Sequence, residues 1–184
     1  MGQLAEGLKN ASLGTFVLFY YNQVLGLPGT LAGLAVAIAL LFDAFTDPLA
    51  GSISDNWHSP MGRRHPFMYA SAIPLGFAFY LLFAPPEGMS ELALFSWLTV
   101  TLILTRGSMT LYHVPHIALG AELSDDYEER TQIVSFRYFL SFVGWLLAYY
   151  AGFGWFFRDT PEFPHGQFNT AAYAPFALVM SAGM

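Results

Sequence analysis

The sequence predicts an all-α polytopic membrane protein, and three observations carry that prediction. Hydrophobic residues make up 55% of the 184-residue chain and charged residues 11%, with a mean hydropathy of +0.46, so too little charge remains to solvate a soluble surface. Apolar blocks long enough to cross a bilayer recur along the chain, separated by short polar or Pro/Gly breaks. Cysteine is absent, which excludes a disulfide scaffold, and the net charge of −6 forms no basic stripe, which excludes nucleic acid as a partner.

Five complete spans and the start of a sixth are expected. Span one covers about residues 11–27 and closes at the Gly26-Leu27-Pro28-Gly29 turn; it lacks the cleavage pattern of a signal peptide. Span two covers about 30–53. Span three, about 67–84, ends at Pro85-Pro86-Glu87-Gly88, span four covers about 92–119, and span five about 133–153. A polar loop over 158–170 precedes a hydrophobic segment that is cut off at Met184. Lys9, Arg63, Arg64 and Arg130 fall on one side and Arg158 on the other, which predicts a cytoplasmic N-terminus and cytoplasmic loops at about 54–66 and 122–131.

Span two carries two acids where the bilayer tolerates none cheaply. Asp43 and Asp47 are four apart and so share one helix face. Each opposes insertion by about 2.5–3.5 kcal/mol near the bilayer centre, while a neighbouring Leu, Ile, Val or Phe returns about 0.3–0.6 kcal/mol. Pro48 has no amide proton, so the Ala44 carbonyl loses its helical partner and joins the two carboxylates and the Thr46 hydroxyl as oxygen ligands for Na+ or H+. The alternative is structural: each aspartate neutralised by Arg106 or Arg137 from another helix.

Further polar groups stand around these acids. Asp55 with Arg63 and Arg64 forms a candidate latch at the cytoplasmic side, or a purely topogenic cluster. Span four holds Arg106, Thr110, Tyr112, His113 and His116; the two histidines lack a third ligand at a familiar metal spacing, so a hydrogen-bonded lining or a protonatable His113 is expected in place of a transition-metal site. The 124–131 segment reads as a solvated turn that caps the next helix. Arg137 lies two turns into span five and is expected to face a carboxylate or a substrate, or else to snorkel to the interface. No nucleophile elbow, zincin helix or phosphate-cradling loop occurs, so the chain is not expected to be an enzyme.

Asp43-x-x-x-Asp47-Pro48-x-x-Gly51-x-x-x-Asp55, Gly62-Arg63-Arg64-x-Pro66, Val114-Pro115 and Glu129-Arg130-Thr131 with Arg137 together resemble the glycoside–pentoside–hexuronide:cation symporters of the major facilitator superfamily. The resemblance implies a twelve-helix transporter of two six-helix halves, of which residues 1–184 are most of the first, the C-terminal half being missing. It implies a coupling cation, Na+ or H+, at Asp43, Thr46, Asp47 and Thr110, and a substrate, a sugar first of all, at Arg137, His113 and Tyr112. Asp55, Arg63 and Arg64 are expected to gate the cytoplasmic side, and the membrane is expected to be the cell inner membrane. Melibiose permease, a member of that family, holds its galactoside with acids on spans one and four. Here span one carries no acid and the fourth-span position is His113, while His113-Val114-Pro115 is similar to the related lysophosphatidylcholine symporters. A lysolipid or other amphiphile carrier, and a non-transporting membrane scaffold, are the alternative readings.

Overall fold

The structure is a computed structural model and describes residues 2–122 and 126–184, side chains at 121 and 122 excepted. Among them all regular structure is helical. Helix α1, Gly2–Ala11, continues through π-type turns at Ser12–Val17 and Tyr20–Val24; α2 is Gly29–Asn56, α3 His65–Leu82 and α4 Glu91–Glu122. Helix α5, Tyr127–Ala151, is extended by a π-type turn at Gly152–Phe156, and α6 is Tyr173–Gly183.

Local chemistry sets the ends. Gly26 takes a positive φ of 77° in the turn that Pro28 closes at the start of α2. Gly62 does the same at φ 89° before Arg64 caps α3, with a proline in that helix's first turn. The Asp126 carboxylate accepts the amides of Glu128 and Glu129 at 2.8 and 3.0 Å and caps α5, as expected of that segment; Ser124 and Asp125 lie outside the described residues.

Two boundaries differ from expectation, for physical reasons. Span one starts at Gly2 and not near residue 11, because Gln3, Glu6 and Lys9 repeat every third residue and turn into the bundle. Lys9 is therefore a buried residue of a helix, 8% exposed, and not a loop charge that bears on orientation. The loop placed at 54–66 is shorter: α2 keeps helical geometry through Pro48 and on to Asn56, and α3 begins at His65.

Among the described residues, three helices are apolar enough by length and composition to cross a membrane: Gly29–Asn56, Glu91–Gly120 and Tyr127–Phe156. At 1.5 Å per residue the 18-residue α3 spans about 27 Å, just short of a hydrocarbon core. Span one loses apolar weight to the polar triplet at its start.

Helix α4 is the centre of the bundle, packing against α2 on one side and α3 on the other, while α1 packs on α5 and α6 on α3. Helix α2 meets its neighbours through a small-residue stripe of Ala32, Ala35, Ala39, Ala50 and Ser54, and turns Leu40, Leu41, Phe45, Leu49 and Ile53 outward. Such a stripe lets backbones approach closely; a Cβ on Gly51 would stand 3.4 Å from Val114 Cγ1 of α4. At the other end Phe16, Phe83, Phe157, Tyr173 and Phe176 form an aromatic core, with Tyr20 stacked on Tyr173 at 4.0 Å.

The α1–α5 crossing is tightest where Gly7 and Gly144 meet. A Cβ at Gly7 would stand 3.1 Å from Gly144 Cα and overlap the Ser141 carbonyl, and one at Gly144 would overlap the Leu4 carbonyl. Gly144→Val is expected to cost about 1–3 kcal/mol by forcing the helices apart. Gly14→Ala, where nothing lies within 4 Å, is the control and leaves stability nearly unchanged. Thermal unfolding of the two detergent-purified variants checks this, and equal midpoints would refute the close-packing account.

Candidate functional site

The polar residues of three helices converge on one cavity of about 140 Å³, lined by Glu6 and Lys9 of α1, Asp43 and Asp47 of α2, and Arg106, Met109, Thr110 and His113 of α4. Their convergence follows from helical spacing. Asp43 continues the Ala35–Ala39 stripe that faces α4, and Arg106, Thr110 and His113 stand a turn apart on the α4 face that answers it.

Each aspartate has a different partner. Arg106 donates from Nε and Nη2 to Asp43 Oδ2, both at 2.5 Å, with the side chains 26% and 16% exposed. Asp47 is exposed, and its Oδ1 accepts the hydroxyl of the buried Thr110 at 2.7 Å. Asp43 Oδ1 has no hydrogen-bond partner among the described residues. Charge in this site is thus paired across the α2–α4 contact, where low dielectric strengthens the attraction and makes an unmatched charge costly.

A third acid enters from α1. Glu6 Oε2 lies 3.2 Å from His113 Nδ1, and neither atom has a hydrogen-bond partner of good geometry among the described residues. Span one does carry an acid, contrary to expectation, because the helix begins nine residues earlier than its apolar run suggests. Glu6 and His113 also border a neighbouring cavity of about 290 Å³ with Gln3, Arg137 and Tyr138.

Other expected residues stand apart from the aspartates. The Thr46 hydroxyl donates to the Phe42 carbonyl at 3.1 Å and faces an apolar groove of about 400 Å³ between α2 and α4, because residue 46 is turned about 100° around the helix from Asp47. Arg137 pairs with neither aspartate. It lines the Glu6–His113 cavity and lies against α4, where a Cβ on Gly120 would stand 2.8 Å from its Nη1. Tyr112 packs on the α1 backbone at Gly2 and stacks on His116 with ring centroids 5.1 Å apart. Arg64, 8% exposed, donates to Asp55 Oδ1 from Nη2 at 2.8 Å across the α2–α3 turn, while Arg63 on the same turn is exposed.

Glu6 and Lys9 are the site residues that the sequence reading passed over. Their signal was the spacing of Gln3, Glu6 and Lys9, which puts polar groups on one face of a helix running into an apolar block.

Residues 1–182 match the family described as MFS/sugar transport protein. The chain belongs to the glycoside–pentoside–hexuronide:cation symporter family of the major facilitator superfamily. It is 31% identical over 152 residues to an uncharacterized symporter of Synechocystis, covering 80% of this chain and 28% of that one. It is 30% identical to the putative glycoside/cation symporter YagG of Escherichia coli, over 78% of this chain and 31% of the relative. It is also 30% identical to the sodium-dependent lysophosphatidylcholine symporter 1 of Mus musculus, over 74% of this chain and 26% of the relative. The chain thus spans less than a third of the length of these relatives and, being of a transporter family, is not an enzyme. No solved structure matches.

The Asp43–Arg106 pair is testable by itself. Asp43→Asn leaves a guanidinium short of its counter-charge and is expected to cost about 2–3 kcal/mol. The double variant Asp43→Asn/Arg106→Gln is expected to recover much of that loss. A double-mutant cycle on thermal or denaturant unfolding checks the coupling, and additive losses would show that the two residues act separately.

Proposed function

We propose that these residues belong to a secondary active transporter that couples uptake of a sugar or glycoside to entry of a cation. The observation that carries the reading is the pairing of two span-two acids with Arg106 and Thr110 of α4 at a helix–helix contact inside the bundle. Acids held this way within a membrane-spanning bundle respond to a cation: binding neutralises charge that otherwise resists desolvation, and shifts the balance between helix arrangements. Asp43, Asp47 and Thr110 are the proposed coupling residues, and Thr46 contributes only if α2 turns.

Arg137, His113 and Glu6 would hold the substrate from the N-terminal side, since the cavity they border offers a guanidinium, a carboxylate and an imidazole to hydroxyl groups. Tyr112 would join them only by leaving its stack on His116. A second six-helix half would complete the cavity. With Lys9 removed from the loop count, Arg63, Arg64 and Arg130 against Arg158 still favour cytoplasmic α2–α3 and α4–α5 turns, in an inner membrane, with the N-terminus on the same side. The Asp55–Arg64 pair would hold that face closed, with Arg63 beside it.

A lysolipid or related amphiphile is the second reading. The apolar groove beside Thr46, lined by Phe42, Leu49, Ile53, Ile103 and Leu111, suits an acyl chain, and the mouse relative is named for such a substrate.

Uptake by the intact protein in proteoliposomes tests both readings. A panel of labelled glycosides and pentosides is offered beside a labelled lysophosphatidylcholine, with and without an inward cation gradient. Gradient-stimulated uptake of a glycoside is expected, and Asp47→Asn is expected to reduce that stimulation at least tenfold. Stimulation that survives intact in Asp47→Asn would sink the assignment, and uptake of the lysolipid alone would favour the second reading.

A further inference from the structure

Lys9 is a residue that an aspartate cation site does not call for. It is 8% exposed and lines the same small cavity as Asp43, Asp47 and Arg106. An ammonium inside a membrane bundle is expensive unless carboxylates answer it, and here Arg106 repels it while Glu6, Asp43 and Asp47 attract it. Two basic side chains, Lys9 and Arg106, share this cavity with three carboxylates from α1 and α2, with Thr110 and His113 of α4 beside them and Arg137 of α5 behind Glu6.

Resting on the symport reading, we infer that Lys9 is a tethered counter-cation that keeps Na+ out of the aspartate site, which leaves the proton as the coupling ion. Charge argues for it first. Na+ would enter as a third positive centre in a cavity of about 140 Å³ that already holds two. Lysine acts as a compact monovalent point charge, so it serves the carboxylates in the way Na+ would.

Coordination argues the same way. A hard cation needs several oxygen ligands at once. Asp43 Oδ2 is engaged by Arg106, Asp47 Oδ1 by Thr110, and the Thr46 hydroxyl is turned to the Phe42 carbonyl, so Asp43 Oδ1 is the one buried oxygen of the two aspartates left without a partner among the described residues, too few for a hard cation. A proton needs one acceptor. The Glu6–His113 contact at 3.2 Å, with neither atom otherwise hydrogen-bonded among the described residues, offers a place for it.

The test is thermal unfolding of the intact purified protein as NaCl replaces choline chloride at constant ionic strength, a readout that needs no substrate. The native midpoint is expected to stay put. Lys9→Met is expected to acquire a saturable rise with Na+, and Lys9→Met/Asp47→Asn to lose that rise. A saturable rise in the native protein would overturn the inference whatever the variants do, and so would a folded Lys9→Met that ignores Na+. Lys9→Gln carries the same comparison if Lys9→Met does not fold.

Imposed gradients separate this inference from the reading beneath it. Glycoside uptake driven by a proton gradient alone supports both. Uptake driven by a Na+ gradient overturns the inference and keeps the symporter. Uptake with neither removes the symport reading, and the sodium titration still decides the role of Lys9.

Discussion

A carboxylate withdrawn from water must be met by a positive charge or a proton, and the bundle is organised around satisfying that demand for Asp43. Arg106 answers it from α4 at 2.5 Å. For the two to meet, α2 and α4 must run side by side at close range, which the alanine stripe of α2 permits. The same contact places Asp47 on Thr110 one turn along each helix. Because α4 also packs on α3, a charge pair at one face of α4 is tied to the apolar packing at the other.

The second constraint is that α1 joins this cluster by means other than hydrophobicity. Its first turns are polar, and they are buried because Gly7 and Gly144 let α1 lie nearly backbone to backbone on α5. Beyond residue 11 the chain switches to π-type turns, which shift the register so that Phe16, Val17, Tyr20 and Tyr21 all enter the apolar core. One helix thus serves a charged cavity at one end and an aromatic core at the other.

The bundle's outward faces are unequal. Helices α2 and α5 bury little of their length and expose long rows of Leu, Phe and aromatic residues, among them Phe45, Leu49, Phe139, Phe142 and Leu146. Helix α4 is buried more deeply. The site therefore lies near the faces that carry most unspent apolar surface, which suits a cavity shared between this bundle and lipid or further helices.

Much of the fold was legible in the residues alone. Apolar block length, the Pro/Gly breaks and the Asp126 cap determined six helical segments and most of their ends, because these depend on local spacing and on the cost of exposing backbone in hydrocarbon. The family, and the involvement of Asp43, Asp47, Thr110 and His113 in one polar cluster, were also readable, since intramembrane acids stand out against an apolar background. What only the tertiary structure decided was partnership. Arg106 and Arg137 were equal candidates for the aspartates in sequence, and helix rotation sent one to Asp43 and the other to Glu6 and His113. Thr46, three residues from Asp43, fell on the groove side. Lys9 read as a loop charge and Glu6 went unnoticed, until packing against α5 turned both into the bundle. Position along a chain determines which charges a helix carries; the rotation and depth of that helix in the bundle decide which of them meet.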